Sequence, residues 1–387
     1  MAGGLPWEQG RPSFYVSWIP MIVTIFIACA DFKQHPDERD DIQVTDWMLF
    51  AGILLLGLPA FVSIHAQASW QWLTQIILLV FFGWSLQQLK VKPRDVMVWA
   101  VGSLVPHALL GLWQFVTQGI AGSKWLGISA QNPLTLGVSI VEAAGQRVLR
   151  AYGGFPHPNI FGGWSAFGLV ATLALAKEAT KRHERILLSM TACLFSTVLV
   201  LTFSRSAWLA AVLGISATFF VLWRQTTSVA EKWRFSFLAL MMVASVSLVA
   251  FSIRDLIFVR ALPTTRLETK SVNERQTSIA NAWSLVREER LLGQGQNTAI
   301  LALDQAGKGI IPPHFIPLLI LLETGWIGVL GVTLLMARWL MKARFAALVP
   351  LMTAAPLVFL DHYLWSIWAG QALLLWLALF PLTDKEK

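Results

Sequence analysis

The sequence predicts an all-α protein: a polytopic transmembrane helix bundle of about eleven spans (ten to twelve), with one long outward-facing loop containing short helices. Three observations predict it. Hydrophobic residues make up 56% of the 387 positions and charged residues 13%, against about 45–50% and about 25% in an average soluble domain. That balance excludes an ordinary soluble enzyme, and the high hydrophobicity excludes disorder. Apolar runs of about 20 residues, enough to cross a bilayer, recur along the chain. Basic residues cluster in every second connection between those runs, as the positive-inside rule requires of cytoplasmic loops.

The runs fall at 14–30, 46–63, 70–88, 96–117, 159–176, 186–202, 206–223, 235–252, 315–336, 345–360 and 364–382. Proline and glycine inside several of them are tolerable, because neighbouring helices satisfy the freed backbone groups. Lys90, Lys92 and Arg94 follow the third run, and Lys177, Lys181, Arg182 and Arg185 the fifth. Arg224, Lys232 and Arg234 follow the seventh, Arg338, Lys342 and Arg344 the ninth, and Lys385 and Lys387 end the sequence. These loops and the C-terminus are expected in the cytoplasm. The connections 118–158, 203–205, 253–314 and 361–363 then face outward. The loop 31–45 carries Lys33 and Arg39 among acidic residues. Acidic residues count little in the rule, so that loop is placed inside and the N-terminus outside.

The formal charge of +8 is accounted for by these short basic clusters, and no nucleic-acid partner is expected. The 19 tryptophans suit the two interfaces of a bilayer. Cys29 and Cys193 lie in apolar runs and read as neither disulfide partners nor metal ligands. The first residues lack a basic segment leading into an apolar one, so no cleavable signal peptide is expected. There is no fixed-period repeat and no low-complexity tract, which leaves residues 1–387 as a single integral membrane domain with 253–314 as an outer loop within it.

That loop holds Arg254, Arg260, Arg266, Lys270, Arg275, Arg287, Arg290 and Lys308. Long loops are largely exempt from the positive-inside rule, so an outward basic excess needs another reason. Asn273 is positioned to cap a helix from about Glu274 to Arg290, with Gly293 ending it. Ile279, Trp283 and Val286 fall at helical spacing within it, giving a face to lay on the membrane or on the bundle.

Polar residues gather in four outward groups. The first is Arg147-Val-Leu-Arg150 and, further on, His157-Pro-Asn159, entering the fifth span. The second is Ser204-Arg205-Ser206, in a tight bend. The third is Glu274-Arg275 with Arg287 to Arg290 and the Gly-rich stretch ending at Asn297. The fourth is His314, Glu323 within the ninth span, and Asp361-His362 at the next outward bend. A guanidinium is always charged and offers a planar fork of donors that matches phosphate oxygens. A diphosphate leaving group needs such neutralisation as its bond to a sugar breaks. A histidine nearby can take the proton of an acceptor hydroxyl at neutral pH. Arginines and histidine on one outer face therefore point to group transfer from a lipid diphosphate.

Each residue also has a plainer reading. Arg205 would merely reach headgroups, and Arg147, Arg150 and Arg275 would be solvated surface charges. His157 and His314 would be helix-start residues beside prolines, and Asp361-His362 a polar turn. Glu323 needs a partner or a watery cavity. His35, His65, His107 and His183 read as structural. No His, Cys, Asp and Glu residues have zinc-site spacing, no phosphate-binding Gly-x-x-x-x-Gly-Lys loop is present, and no Gly-x-Ser-x-Gly elbow is present.

Four segments together resemble a known family, the O-antigen ligase and polymerase superfamily of membrane glycosyltransferases. They are Arg150-Ala-Tyr-Gly-Gly-Phe-Pro-His157-Pro-Asn159, Leu201-Thr-Phe-Ser-Arg205-Ser-Ala-Trp208, Glu274-Arg275 followed by Leu291-Leu-Gly-Gln-Gly-Gln-Asn297, and His314 with Gly325-Trp-Ile-Gly328. The resemblance runs from about Trp70 to Phe380. It implies a metal-independent transferase that needs no cofactor. Its donor is a glycan on undecaprenyl diphosphate, its acceptor a glycan, lipid or protein hydroxyl, and its site faces the periplasm or exterior of the cytoplasmic membrane. Positions matching Arg205 and Arg275 would hold the diphosphate, and His314 would act as base or orient the acceptor. Arg150, His157, Asn159, Arg147, Arg290, Glu323, Asp361 and His362 are the further substrate-binding candidates. Phe315 stands where the family often has Asn after the histidine. The single His-bearing loop before the ninth span favours a ligase; a polysaccharide polymerase and a protein O-oligosaccharyltransferase are the alternatives within the family. A polyprenyl-glycan transporter or flippase would need charges near the bilayer midplane, where this chain has almost none. A non-catalytic scaffold leaves the outward arginines and histidines unexplained.

Overall fold

A computed structural model of the chain describes residues 15, 17–34, 44–123, 128–143, 145–226, 228–261, 266–288, 291–343 and 347–380. The start of the sequence, most of the loop 31–45, Arg344, Lys385 and Lys387, on which several expectations fell, lie outside the described residues.

The expected apolar runs fall on helices, with two departures: the last, 364–382, is divided at Ile367 into a four-residue and a twelve-residue helix, and that at 315–336 is interrupted at Gly325. In chain order the helices are α1 (Trp18–Gln34), α2 (Val44–Gly57) running on into a 3-10 turn (Leu58–Phe61), α3 (Ala66–Gln88) and α4 (Pro93–Thr117). A short hairpin of β1 (Ile140–Ala143) and β2 (Gln146–Leu149) precedes α5 (Pro158–Glu178), α6 (Arg182–Leu201), α7 (Arg205–Gln225) and α8 (Val229–Ser252). Then come α9 (Arg254–Ala261), α10 (Arg266–Val286), α11 (Ala299–Gln305), α12 (Ile316–Ala343), α13 (Leu348–Leu360), α14 (Tyr363–Ser366) and α15 (Trp368–Leu379). Seven of these helices (α3 to α8 and α12) are long and apolar enough to cross a membrane, and the segments Trp18–Asp31, Trp47–Phe61, Leu348–Leu360 and Trp368–Leu379 are shorter apolar helices.

Two local expectations need correction. Asn273 does not cap a helix, because α10 begins at Arg266 and runs straight through it. No Gly or Pro interrupts Arg266 to Asn273, and capping by one side chain competes poorly with continuing an established hydrogen-bond ladder. Gly293 does not end that helix either. The helix stops at Val286, and Gly293 lies in the left-handed region (φ 68°) of the loop beyond it. The β1–β2 hairpin, paired antiparallel with Glu142 opposite Arg147, was not foreseen.

The chain forms two compact units. The first comprises Arg94–Asn273 with Leu348–Leu357. Its centre is α5, buried at every residue from Pro158 to Leu173. Small residues (Gly162, Gly163, Ala166, Gly168, Ala171) line this helix and let α6 and α7 pack closely on it. Two buried hydroxyls in the middle of α5 are satisfied inside the helix. Ser165 donates to the Phe161 carbonyl and Thr172 to that of Gly168. On α4, Gln114 donates to the Gly153 carbonyl at 2.8 Å and accepts from the Tyr152 N–H at 3.2 Å, and His107 accepts from the Gly154 N–H. These bonds hold the segment that leads into α5.

The second unit comprises the described residues of Gly3–Pro93, Glu274–Ala347 and Val358–Lys387. Here α2 lies along α12, and α3 packs against α1 and α15. His65 caps α3 by accepting from the Ala68 N–H, one of the structural roles expected of the lone histidines. The indole N–H groups are used as fasteners: Trp72 donates to the Trp365 carbonyl and Trp339 to that of Ala378.

Candidate functional site

The first group of candidates surrounds the bend between α6 and α7. The last turn of a helix leaves carbonyls without intrahelical partners. At this bend two buried arginines supply donors: Arg150 Nε reaches the Thr202 carbonyl at 2.6 Å and Arg260 Nε reaches that of Phe203 at 2.7 Å. Phe203, fully buried, turns the chain with a positive φ of 49°. Ser204 then caps α7, its Oγ accepting from the Ala207 N–H at 3.4 Å. That sequence of events fixes Arg205 as the first residue of α7, half-buried, with Nη1 3.5 Å from the Arg260 carbonyl. Arg260 belonged to the basic stretch of the sequence, and nothing in the sequence set it apart from its neighbours.

Arg150, His157 and Asn159 hold one another and this bend. Arg150 Nη2 donates to Asn159 Oδ1 at 2.6 Å, and the Ala151 N–H donates to the Leu201 carbonyl. His157 is the N-cap of α5: its Nδ1 accepts from the Asn159 N–H at 3.1 Å. Nδ1 being the acceptor, Nε2 carries the proton toward Ser139 Oγ, 2.9 Å away. Arg147, on β2, reaches the Leu134 carbonyl at 3.5 Å. Arg150→Met is therefore expected to remove the partners of a buried carbonyl and a buried amide oxygen. The expected loss is roughly 2–4 kcal/mol of stability, read as a lowered Tm of the detergent-purified chain; Arg150→Lys should recover only part of it.

The second group is built on an interruption in α12. Gly325 leaves the helical region (φ 59°, ψ −167°). The strand-like stretch from Leu291 lies against the exposed backbone there. Gln294 N–H donates to the Leu322 carbonyl, Gly295 N–H to that of Glu323, and Ile327 N–H to that of Leu291. A Cβ on Gly325 would stand 2.3 Å from the Leu291 oxygen. Gly325→Ala is accordingly expected to destabilise the chain by about 3 kcal/mol or more, checked by thermal unfolding and by the yield of monodisperse protein.

Glu323, 1% exposed, uses both carboxylate oxygens on this loop and its neighbour. Oε2 accepts from the Asn297 N–H at 2.8 Å and from Trp365 Nε1 at 2.7 Å, and Oε1 from the Ala299 N–H at 3.1 Å. This is the partner set that a carboxylate inside an apolar span requires.

The third group sits where α12 begins and α13 ends. His314 Nδ1 lies 3.5 Å from Asp361 Oδ1, with side-chain exposures of 21% and 3%. The distance is that of an ion pair rather than an aligned hydrogen bond. Asp361 also accepts the N–H of His362 at 2.9 Å. The rings of His314 and His362 meet edge to face, centroids 4.9 Å apart, and His362 Nδ1 is 2.7 Å from Ser366 Oγ. Burial alone would raise the Asp361 carboxyl, but the contact with His314 and the charge of both imidazoles outweigh it and hold this group well below the usual carboxylate range. Burial, then the like charge of His314, pushes His362 down to about 4; Asp361 opposes the fall and Arg275 adds to it. At pH 7 the arrangement is an ionised carboxylate facing His314, beside a neutral His362 within the field of Arg275.

A small pocket opens beside these residues, lined among others by Asn297, Pro312, Glu323, His362 and Ser366. Phe315, in the place of a frequent Asn, packs on the ring of Phe359 instead. On α10, Arg275 is half-buried, and Arg287, just past its end, is exposed; Lys308 ties its loop to that helix by donating to Ser284 Oγ at 2.6 Å. Arg290 lies outside the described residues. Among the described residues, His314, Asp361 and His362 bring their donor atoms close enough together to hold a metal, all within 4.8 Å of one another. Linear spacing hid this trio, because His314 precedes α12 while the other two follow α13.

A family model described as O-antigen ligase matches residues 190–333. The matched stretch includes Arg205, Arg275, His314 and Glu323, and excludes Arg150, His157, Asp361 and His362. A search of curated proteins finds no match. Residues 190–333 thus resemble the family described as O-antigen ligase, in a chain with seven helices long and apolar enough to cross a membrane.

Proposed function

We propose that the chain is a metal-independent membrane glycosyltransferase of O-antigen ligase type. It transfers a glycan from undecaprenyl diphosphate to an acceptor hydroxyl at the outer face of the cytoplasmic membrane. The pairing of His314 with the buried carboxylate of Asp361 carries this reading. A carboxylate at Nδ1 orients an imidazole and favours the tautomer whose Nε2 lone pair is open to a proton.

In the reaction the acceptor oxygen bonds to the anomeric carbon as the bond from that carbon to the diphosphate oxygen breaks. The hydroxyl proton goes to His314 Nε2, and the negative charge stays on the departing undecaprenyl diphosphate. Arg205, at the N-terminal end of α7, serves that charge with its guanidinium fork, helped by the positive end of the helix dipole. Arg275 contributes a second positive charge from α10. Arg147, on β2, and Arg290 serve the donor glycan and its phosphates. Arg150, His157 and Asn159 act by holding the bend that presents Arg205. Glu323 and His362 act likewise on the loop and ring around His314.

The test is to incubate the purified chain with an undecaprenyl-diphosphate glycan and candidate lipid, glycan and protein acceptors, in EDTA, and to weigh the products. An acceptor heavier by the glycan, with free undecaprenyl diphosphate, is the expected result. Movement of the intact donor across proteoliposomes, without any acceptor product, would replace this reading with a transporter.

A further inference from the structure

We propose that His314, Asp361 and His362 form a site for a divalent ion of the zinc type, and that filling it switches off His314 as a base. The binding half stands by itself; the inhibitory half rests on the transferase reading. Two imidazoles and one carboxylate are a ligand set that suits zinc and related transition ions and leaves a coordination position open. The three donor atoms already lie within 4.8 Å of one another.

The spacing of the closest pair is informative. At 3.5 Å, His314 Nδ1 and Asp361 Oδ1 are too far apart for a good hydrogen bond. Two ligands each about 2.0 Å from a tetrahedral ion stand roughly 3.3 Å apart. His314 Nδ1 is buried and has no aligned hydrogen-bond partner among the described residues, so its polar capacity is directed at this gap. The surrounding shell is of the kind that fixes metal-binding histidines: Ser366 Oγ engages His362 Nδ1 at 2.7 Å and leaves Nε2 as the ligand atom. Arg275, whose charge reaches His362, opposes a cation, so the site is weaker than a structural zinc site.

The consequence for His314 follows from proton bookkeeping. In the working tautomer Nδ1 carries the proton and Nε2 the lone pair. An ion at Nδ1 needs the lone pair of that nitrogen, so the proton leaves Nδ1 and the ring takes one at Nε2. No net proton is released, and Nε2 can no longer accept one from a hydroxyl.

The full-length chain in detergent is titrated with cobalt chloride, followed by zinc chloride. Expected are visible ligand-field bands saturating at one equivalent, bleached by zinc. In equilibrium dialysis, His362→Gln should weaken zinc binding roughly 10–100-fold, and Ser366→Ala about 10-fold by loosening the ring. The second variant keeps the test open if the first fails to fold. Zinc should inhibit transfer by the wild type and EDTA should restore it, with the inhibitory concentration rising in step with each variant's dissociation constant. Featureless cobalt spectra, or zinc retention unchanged in both variants, would overturn the site. Tight zinc binding with undiminished transfer would overturn the inhibition alone. A chain that transfers nothing would defeat the transferase reading and still leave the cobalt and zinc titrations to decide the site.

Discussion

His314→Ala is expected to lower transfer about 10³-fold while the chain still inserts and purifies as the wild type does. A positioned base contributes roughly 10²–10⁴ to the rate, and the central value corresponds to about 4 kcal/mol of barrier. The imidazole lies at the start of α12, where its aromatic neighbour is the His362 ring, so truncation leaves the helix packing intact. Asp361→Asn is the sharper control. It keeps the volume and the acceptor for the His362 N–H, but replaces the carboxylate at Nδ1 with a neutral amide. An amide can donate to Nδ1 and so favour the tautomer that leaves Nε2 protonated, so a loss of roughly 10²–10⁴-fold is expected from a change of two atoms. The double variant should be little worse than His314→Ala, because both act through one proton transfer. The fall should appear in kcat rather than KM. Initial rates of product formation by mass spectrometry, set beside size-exclusion profiles, decide it. Rates within threefold of wild type for His314→Ala would show that this imidazole does not carry the proton.

The bundle was legible in the sequence because membrane insertion leaves few options. With no water to satisfy backbone groups, an apolar run of sufficient length becomes helical; the breaks at Gly325 in α12 and at Ile367 between α14 and α15 were not readable from hydropathy. What proved illegible was set by contacts remote in sequence. Asn273 reads as a cap, and only the continuation of α10 back to Arg266 shows that its neighbours prefer the ladder. Arg150 reads as a ligand for phosphate, yet it is buried against the Thr202 carbonyl, 52 positions away. Glu323 announces itself as a carboxylate needing partners; that they are two backbone N–H groups and the indole of Trp365 no spacing rule could supply. The His314–Asp361–His362 trio escaped the search for metal ligands for the same reason: zinc motifs are read from short spacings, and a helical span separates these ligands. Gly293, Gly295 and Gly325 were visible as a motif, whereas the reason for it, a loop laid along an interrupted helix, appears only when both backbones are in place.

Arg205→Ala is expected to reduce kcat/KM for the lipid-linked donor roughly 10²–10³-fold, an effect of about 3–4 kcal/mol on the transition state. Its Nη1 meets the Arg260 carbonyl at a long 3.5 Å, while the bend is held by Arg150 and Arg260. Stability should therefore change by less than about 1 kcal/mol, which separates a loss of function from a loss of fold. Arg205→Lys keeps the charge but gives up the planar fork and its paired donors, so recovery of about tenfold, well short of wild type, is expected. The dipole at the α7 N-terminus remains in both variants and sets a floor to the loss. Donor affinity supplies the independent readout. Competition by free undecaprenyl diphosphate should weaken in Arg205→Ala, while the KM for the acceptor stays as in wild type. If the acceptor KM alone rises and diphosphate competition is unaltered, Arg205 belongs to the acceptor side and the leaving-group charge must be held elsewhere.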